Sequence, residues 1–126
     1  MNAYPWLEKH LSQKPGAIRD YKLEWKWDRW QVGGKLFAAL CTPGPEYKEH
    51  AGRTMVIFKC DPTMAEGFRA QYPEVVPGFY SDKRHWNSIY LDGKIPDEVL
   101  KSMIDLSYNL VFGKLTKKLQ REIAGE

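Results

Sequence analysis

Lys83-Arg84-His85-Trp86-Asn87 is the run in this chain whose side chains offer the most chemistry. Two cations can neutralise phosphates, an indole can stack on a base, and an imidazole and an amide can reach base edges, which together is what a nucleic-acid surface needs. A second group, Lys48, His50 and Arg53, lies in or beside a broken stretch, TPGPEYKEHAG, from Thr42 to Gly52. Glu46 and Glu49 in that stretch oppose phosphate. Judged on residue types alone, Lys83 and Arg84 fit a solvated turn that keeps a sheet edge soluble better than they fit a ligand site.

Catalysis and metal binding find less to work with. His10, His50 and His85 stand without partners at triad or metal-ligand spacing, and no Gly-rich phosphate loop is present. Cys41, Cys60 and His85 could meet across neighbouring strands. Both cysteines, however, fall inside apolar runs, where a free cysteine behaves as a small buried hydrophobe. The expectation is therefore a non-enzymatic protein with no metal and no cofactor, its cysteines reduced in a cytoplasmic setting.

The elements that must position these residues can be read from periodicity and turn residues. Pro77-Gly78 and Ser81-Asp82 are turn signals, and they place Lys83 and Arg84 at a hairpin edge. From Trp86 to Leu91, alternation puts Trp86, Ser88 and Tyr90 on one face, with His85, Asn87, Ile89 and Leu91 on the other. Upstream, Leu7 and Leu11 mark a short helix that ends before Pro15-Gly16. Tyr21 to Trp27 alternates as a half-buried strand, its phase slipping near Asp28-Arg29 as if at a bulge. Gly33-Gly34 turns that strand into Lys35 to Cys41, and Thr42 to Gly52 reads as an exposed wing.

Arg53 to Cys60 is a third strand. Asp61-Pro62 caps a helix carrying Met64, Phe68 and Tyr72, and Pro96-Asp97-Glu98 opens the longest helix. The stripe of that last helix runs from Val99 to Val111. Residues 114–126 form a basic tail or short helix. The order α-β-β-β-α-β-β-α describes an α+β domain of two layers, an antiparallel sheet with helices on one face.

The chain has 126 residues, which suits one domain spanning residues 1–126, and it carries nineteen Lys and Arg against sixteen Asp and Glu. That mild excess permits nucleic-acid binding without demanding it. No apolar run reaches the length of a membrane span, and MNAYPWLEKH has neither a basic n-region nor an apolar h-region, so a soluble protein with no membrane partner is expected.

Several motifs resemble those of the MmcQ/YjbR family. They are Lys14-Pro15-Gly16-Ala17, Gly33-Gly34-Lys35 with Phe37-Ala38, Lys59 with Asp61-Pro62, and then, in order, Tyr72-Pro73, Pro77-Gly78, Asp82 to Asn87, Tyr90 to Gly93, Ile95 to Glu98 and Ser107-Tyr108. Ser81-Asp82 departs from the pattern, since many members carry an apolar residue and Asn there. The resemblance implies a CyaY-like, or secretion-chaperone-like, fold and a double-wing DNA-binding function. Under that implication, Lys83, Arg84, His85, Trp86, Asn87, Arg53 and Lys48 contact double-stranded DNA weakly and largely without regard to sequence, from a monomer. The alternative is a protein partner met by the sheet face and exposed aromatic residues, with Trp25 to Trp30 as the source of the rings.

Overall fold

The structure is a computed structural model and describes residues 4–23, 27–45, 51–77, 85–91 and 95–125. The elements run α1 (Leu7–Ser12), β1 (Ile18–Lys22), β2 (Trp27–Val32), β3 (Lys35–Cys41), β4 (Met55–Lys59), α2 (Pro62–Gln71), β5 (Val75–Pro77), β6 (Trp86–Tyr90), α3 (Asp97–Gly113) and α4 (Lys117–Ala124). The strands form one sheet in the order β1-β2-β3-β4-β6-β5, antiparallel at every pairing.

Local chemistry explains most boundaries. The Asp61 carboxylate accepts the Met64 N–H at 3.1 Å to start α2, with Pro62 in the first helical position. Thr116 does the same for α4 through Leu119 N–H. Gly33 and Gly34 take positive φ values in the β2–β3 turn. The long α3 buries Leu100, Met103, Ile104, Ser107, Tyr108 and Val111, the stripe its 3.6-residue period requires.

The sheet separates two buried layers. On one face, residues from all four helices join Trp30, Val32, Phe37, Val56, Phe58, Ile89 and Leu91 in the main core. Among the described residues the other face carries no helix, yet Trp27, Ala39, Cys41, Met55, Ile57 and Tyr90 form a second buried cluster there, with Val76 and Trp86 packed against it.

Three expectations need correction. Four strands, not three, precede α2, because the chain reverses between Lys22 and Trp27 and β1 pairs antiparallel with β2. The apparent phase slip at Asp28-Arg29 is that reversal. The register shift lies between Trp30 and Gln31 instead, opposite Phe37, so Phe37 and Ala38 both face the helices. β1 is also not half-buried: it is an edge strand, with Ile18 67%, Tyr21 54% and Leu23 72% exposed. None of Trp6, Trp27, Trp30 and Trp86 is exposed, and Trp25 lies outside the described residues.

Polar ties fasten the layers. Ser107 Oγ donates to the Phe37 carbonyl at 2.7 Å and accepts the Lys59 N–H at 2.8 Å, tying α3 to the bulged residue of β3 and to the end of β4. Tyr4 Oη donates to the Ile95 carbonyl at 2.7 Å and accepts the Ile95 N–H at 3.1 Å. Tyr108 Oη donates to the Pro15 carbonyl at 2.5 Å, and Asp105 on α3 pairs with Lys14 and, at 2.9 Å, with His10. Burial alone would raise the Asp105 carboxyl, but the hydrogen bonds from Lys14 and His10 outweigh it and hold the group below its ordinary value.

Candidate nucleic-acid interface

Of the seven residues singled out above, Lys48, Lys83 and Arg84 lie outside the described residues. The other four divide into two places. Arg53 precedes β4 and is exposed, its guanidinium 3.3 Å from the centroid of the Tyr90 ring, a cation–π contact that fixes its position at the rim of the helix-free face. His85 and Trp86 begin β6. The His85 carbonyl accepts the Cys60 N–H at 2.7 Å, extending the β4–β6 ladder, and Trp86 is half-buried against the second cluster.

Asn87 does not reach the surface. Its side chain is fully buried, its amide oxygen accepts from Arg69 Nε at 2.7 Å, and its amide nitrogen donates to the Ala65 carbonyl at 3.3 Å. Arg69 also donates to the Trp86 carbonyl at 3.4 Å. The amide best suited by type to read a base edge therefore ties β6 to α2. Arg69 escaped notice in the sequence because its partners are eighteen residues away or nearly so. A signal for Ser107 was available: it is a polar residue in the middle of an apolar helical stripe.

The register separates the two segments expected as wings. β4 pairs with β6 from Met55↔Tyr90 to Lys59↔Trp86, so the loop entering at Met55 and the segment entering at Trp86 leave opposite ends of one ladder. Four residue steps at about 3.3 Å place those ends roughly 13 Å apart. Between them on the helix-free face lie Ile57 and Ser88, so positive charge is not continuous along the described residues of this ladder. The residues flanking the first of these segments are joined by the Gly52 N–H on the Pro43 carbonyl at 2.9 Å and by the Thr42 and Thr54 hydroxyls, also 2.9 Å apart.

The cysteine and histidine cluster does not assemble. Cys41 lies in the helix-free cluster and Cys60 in the main core, on opposite sides of the sheet. Burial pushes the Cys41 thiol up to about 12 and the Cys60 thiol to about 11, so both are inert as nucleophiles at neutral pH. Among the described residues no group of three His, Cys, Asp or Glu side chains could hold a metal ion, and no helix is long and apolar enough to cross a membrane.

Two solved structures share the fold of this two-layer α+β domain. The DUF419 domain of Deinococcus radiodurans protein DR2400 matches with a TM-score of 0.80 at 24% identity, over 98% of this chain and 89% of that one. A Pseudomonas syringae protein matches with a TM-score of 0.73 at 19% identity, over 88% and 99%. The chain belongs to the YjbR family, whose model matches residues 12–110. It is 31% identical over 115 residues to uncharacterized protein YjbR of Escherichia coli K12, covering 91% of this chain and 92% of that protein. It is 27% identical over 110 residues to uncharacterized protein YyaQ of Bacillus subtilis, covering 81% and 92%.

Proposed function

We propose that this domain is a non-enzymatic DNA-binding protein that contacts the phosphate backbone weakly and with little regard to sequence. The observation that carries the reading is Arg53, an exposed guanidinium held against the Tyr90 ring at a wing root, so that little side-chain freedom remains to be lost on meeting a phosphate. Lys83, Arg84 and Lys48 add cations from the two wings, and Trp86 offers a ring. With Asn87 engaged by Arg69 and Ala65, base-edge readout has no amide among these residues, which supports sequence independence. Fluorescence anisotropy of labelled random-sequence duplex at two salt concentrations tests it. Salt-dependent binding at tens of micromolar, reduced in a folded Lys83→Ala, Arg84→Ala variant, is expected; no binding, or equal binding by the variant, sinks it.

A second reading, a protein-interaction module, is favoured by β1. Its edge carries exposed Ile18 and Tyr21 and leads into exposed Leu23, whereas the opposite edge, β5, is three residues long and ends in Pro77. A photo-crosslinking residue at position 21 should capture one defined partner in cells. Yields no higher than from a control position at Pro96 would remove this reading.

A further inference from the structure

We infer that the outward face of α4, together with Lys35 at the start of β3, is a platform for the phosphate backbone of duplex DNA. This rests on the nucleic-acid reading above and adds a surface that neither wing contains.

Helical phase comes first. Leu119 and Ile123 pack on the core, which sets the inner face of α4. At about 100° per residue, Lys117, Lys118 and Arg121 fall within roughly 60° of the direction opposite to that face. All three are exposed, as are Lys114 just before the helix and Lys35 at the start of β3.

Elsewhere in the domain, cations are often tied. Arg19 meets Glu8 and Asp28, Arg29 meets Asp20, Lys14 meets Asp105, and Lys101 lies over the Trp6 ring. Lys35, Lys114, Lys117, Lys118 and Arg121 have no ion-pair partner among the described residues. Glu122 is the sole acid on α4. Moreover, Lys117 and Lys118 occupy the first helical turn, which holds no acidic residue, and there the helix dipole disfavours positive charge. An arrangement that opposes the helix's own field is satisfied by an anion laid across it.

The platform is fixed rather than frayed. A Cβ at Gly33 would sit 2.7 Å from Leu115, just before α4, and 3.0 Å from Leu119 on it, and one at Gly16 would sit 2.8 Å from Ile123, so α4 rests directly on backbone at two points. Both glycines have positive φ as well. Gln120 Nε2 donates to the Leu115 carbonyl at 2.9 Å, bracing the turn between α3 and α4. Because Leu119 and Ile123 are already packed inward, α4 has no apolar face to insert into a bilayer, which favours a polyanion over a lipid surface. The Gly33-Gly34 turn also lies at the same end of the sheet as His85 and Trp86, the end opposite Arg53.

The test compares wild type, a Lys117→Gln, Lys118→Gln, Arg121→Gln variant, a Lys117→Arg, Lys118→Arg variant and the Lys83→Ala, Arg84→Ala variant, each checked for folding by thermal melting. The probe is fluorescein-labelled random duplex, with phosphatidylserine-containing vesicles as a parallel arm. The glutamine variant should lower the magnitude of the slope of log K against log salt by about 2.7, so that its loss of affinity between about 50 and 200 mM salt shrinks roughly 40-fold relative to wild type. The arginine variant should keep the wild-type slope. Duplex binding that the glutamine variant retains in full, while the Lys83, Arg84 variant loses it, overturns the α4 platform and leaves the DNA reading standing. Absence of duplex binding by wild type overturns both, and α4-dependent binding to vesicles in that case reassigns the face to lipid.

Discussion

Ser107 and Ser88 are both fully buried, on opposite faces of one sheet, and their surroundings differ in kind. Ser107, on α3, has the Lys59 N–H as a donor on one side and the Phe37 carbonyl as an acceptor on the other. Ser88 lies in the helix-free cluster, opposite Ile57 and Val76, and its hydroxyl has no hydrogen-bond partner among the described residues. The helix-covered face is thus bound by directed polar contacts as well as packing, whereas the helix-free face holds by packing and by rings such as Tyr90 under Arg53. Polar residues on the first face therefore specify how the layers dock. On the second, a hydroxyl adds desolvation cost without direction.

Four substitutions sharpen or break that contrast. The largest effect belongs to Ile104, fully buried at the centre of the α3 stripe. Ile104→Ala should lower stability by about 2 to 5 kcal/mol in urea unfolding, and a loss below about 0.5 kcal/mol would mean that α3 is not what seals this face. Ser107→Ala should come next, at about 1 to 3 kcal/mol, because it strands the Lys59 N–H and the Phe37 carbonyl together. Ser88→Ala should change stability by less than about 0.5 kcal/mol, or raise it, since no partner is lost. Equal losses at the two serines would erase the distinction between the faces.

The smallest effect is a change of slope with pH. The Asp105 carboxyl lies below its ordinary value when folded, so its contribution is present above the unfolded value near pH 4 and is lost as pH falls through the folded value. Asp105→Asn should therefore be less stable than wild type at neutral pH, with the gap closing in acid urea titrations. A gap that stayed constant down to about pH 2 would show that the ties to His10 and Lys14 are not electrostatic.

Elements announced by their own residues were legible in the sequence. Asp61-Pro62 starts α2, Gly33-Gly34 turns the hairpin, and the alternation of β6 assigns Ile89 and Leu91 to the helices and Tyr90 to the other face. The β1–β2 reversal was not legible, because residues 24–26 are Glu-Trp-Lys and carry no turn-forming type. Among the candidate residues, Asn87 has the chemistry of a base reader, and only the approach of α2 from about twenty residues upstream buries it. The sequence reads residues 114–126 only as a basic tail or short helix. What anchors α4 is the absence of side chains at Gly16 and Gly33, about a hundred residues earlier, and local pattern carries no trace of that.

The contacts of the first helix set a timetable for the chain during synthesis. Tyr4 holds Ile95, His10 and Lys14 hold Asp105, and Pro15 receives Tyr108, so every one of these partners is made more than ninety residues after its mate. At a ribosomal pace of about 5 to 20 residues per second, α1 must wait roughly 5 to 20 s, with Leu7 and Leu11 uncovered, before α3 arrives. The sheet hairpins can pair earlier, but the two-layer domain closes only as its last third leaves the ribosome. An arrest of translation before residue 95 should leave the amino-terminal helix open to proteases that spare the finished protein.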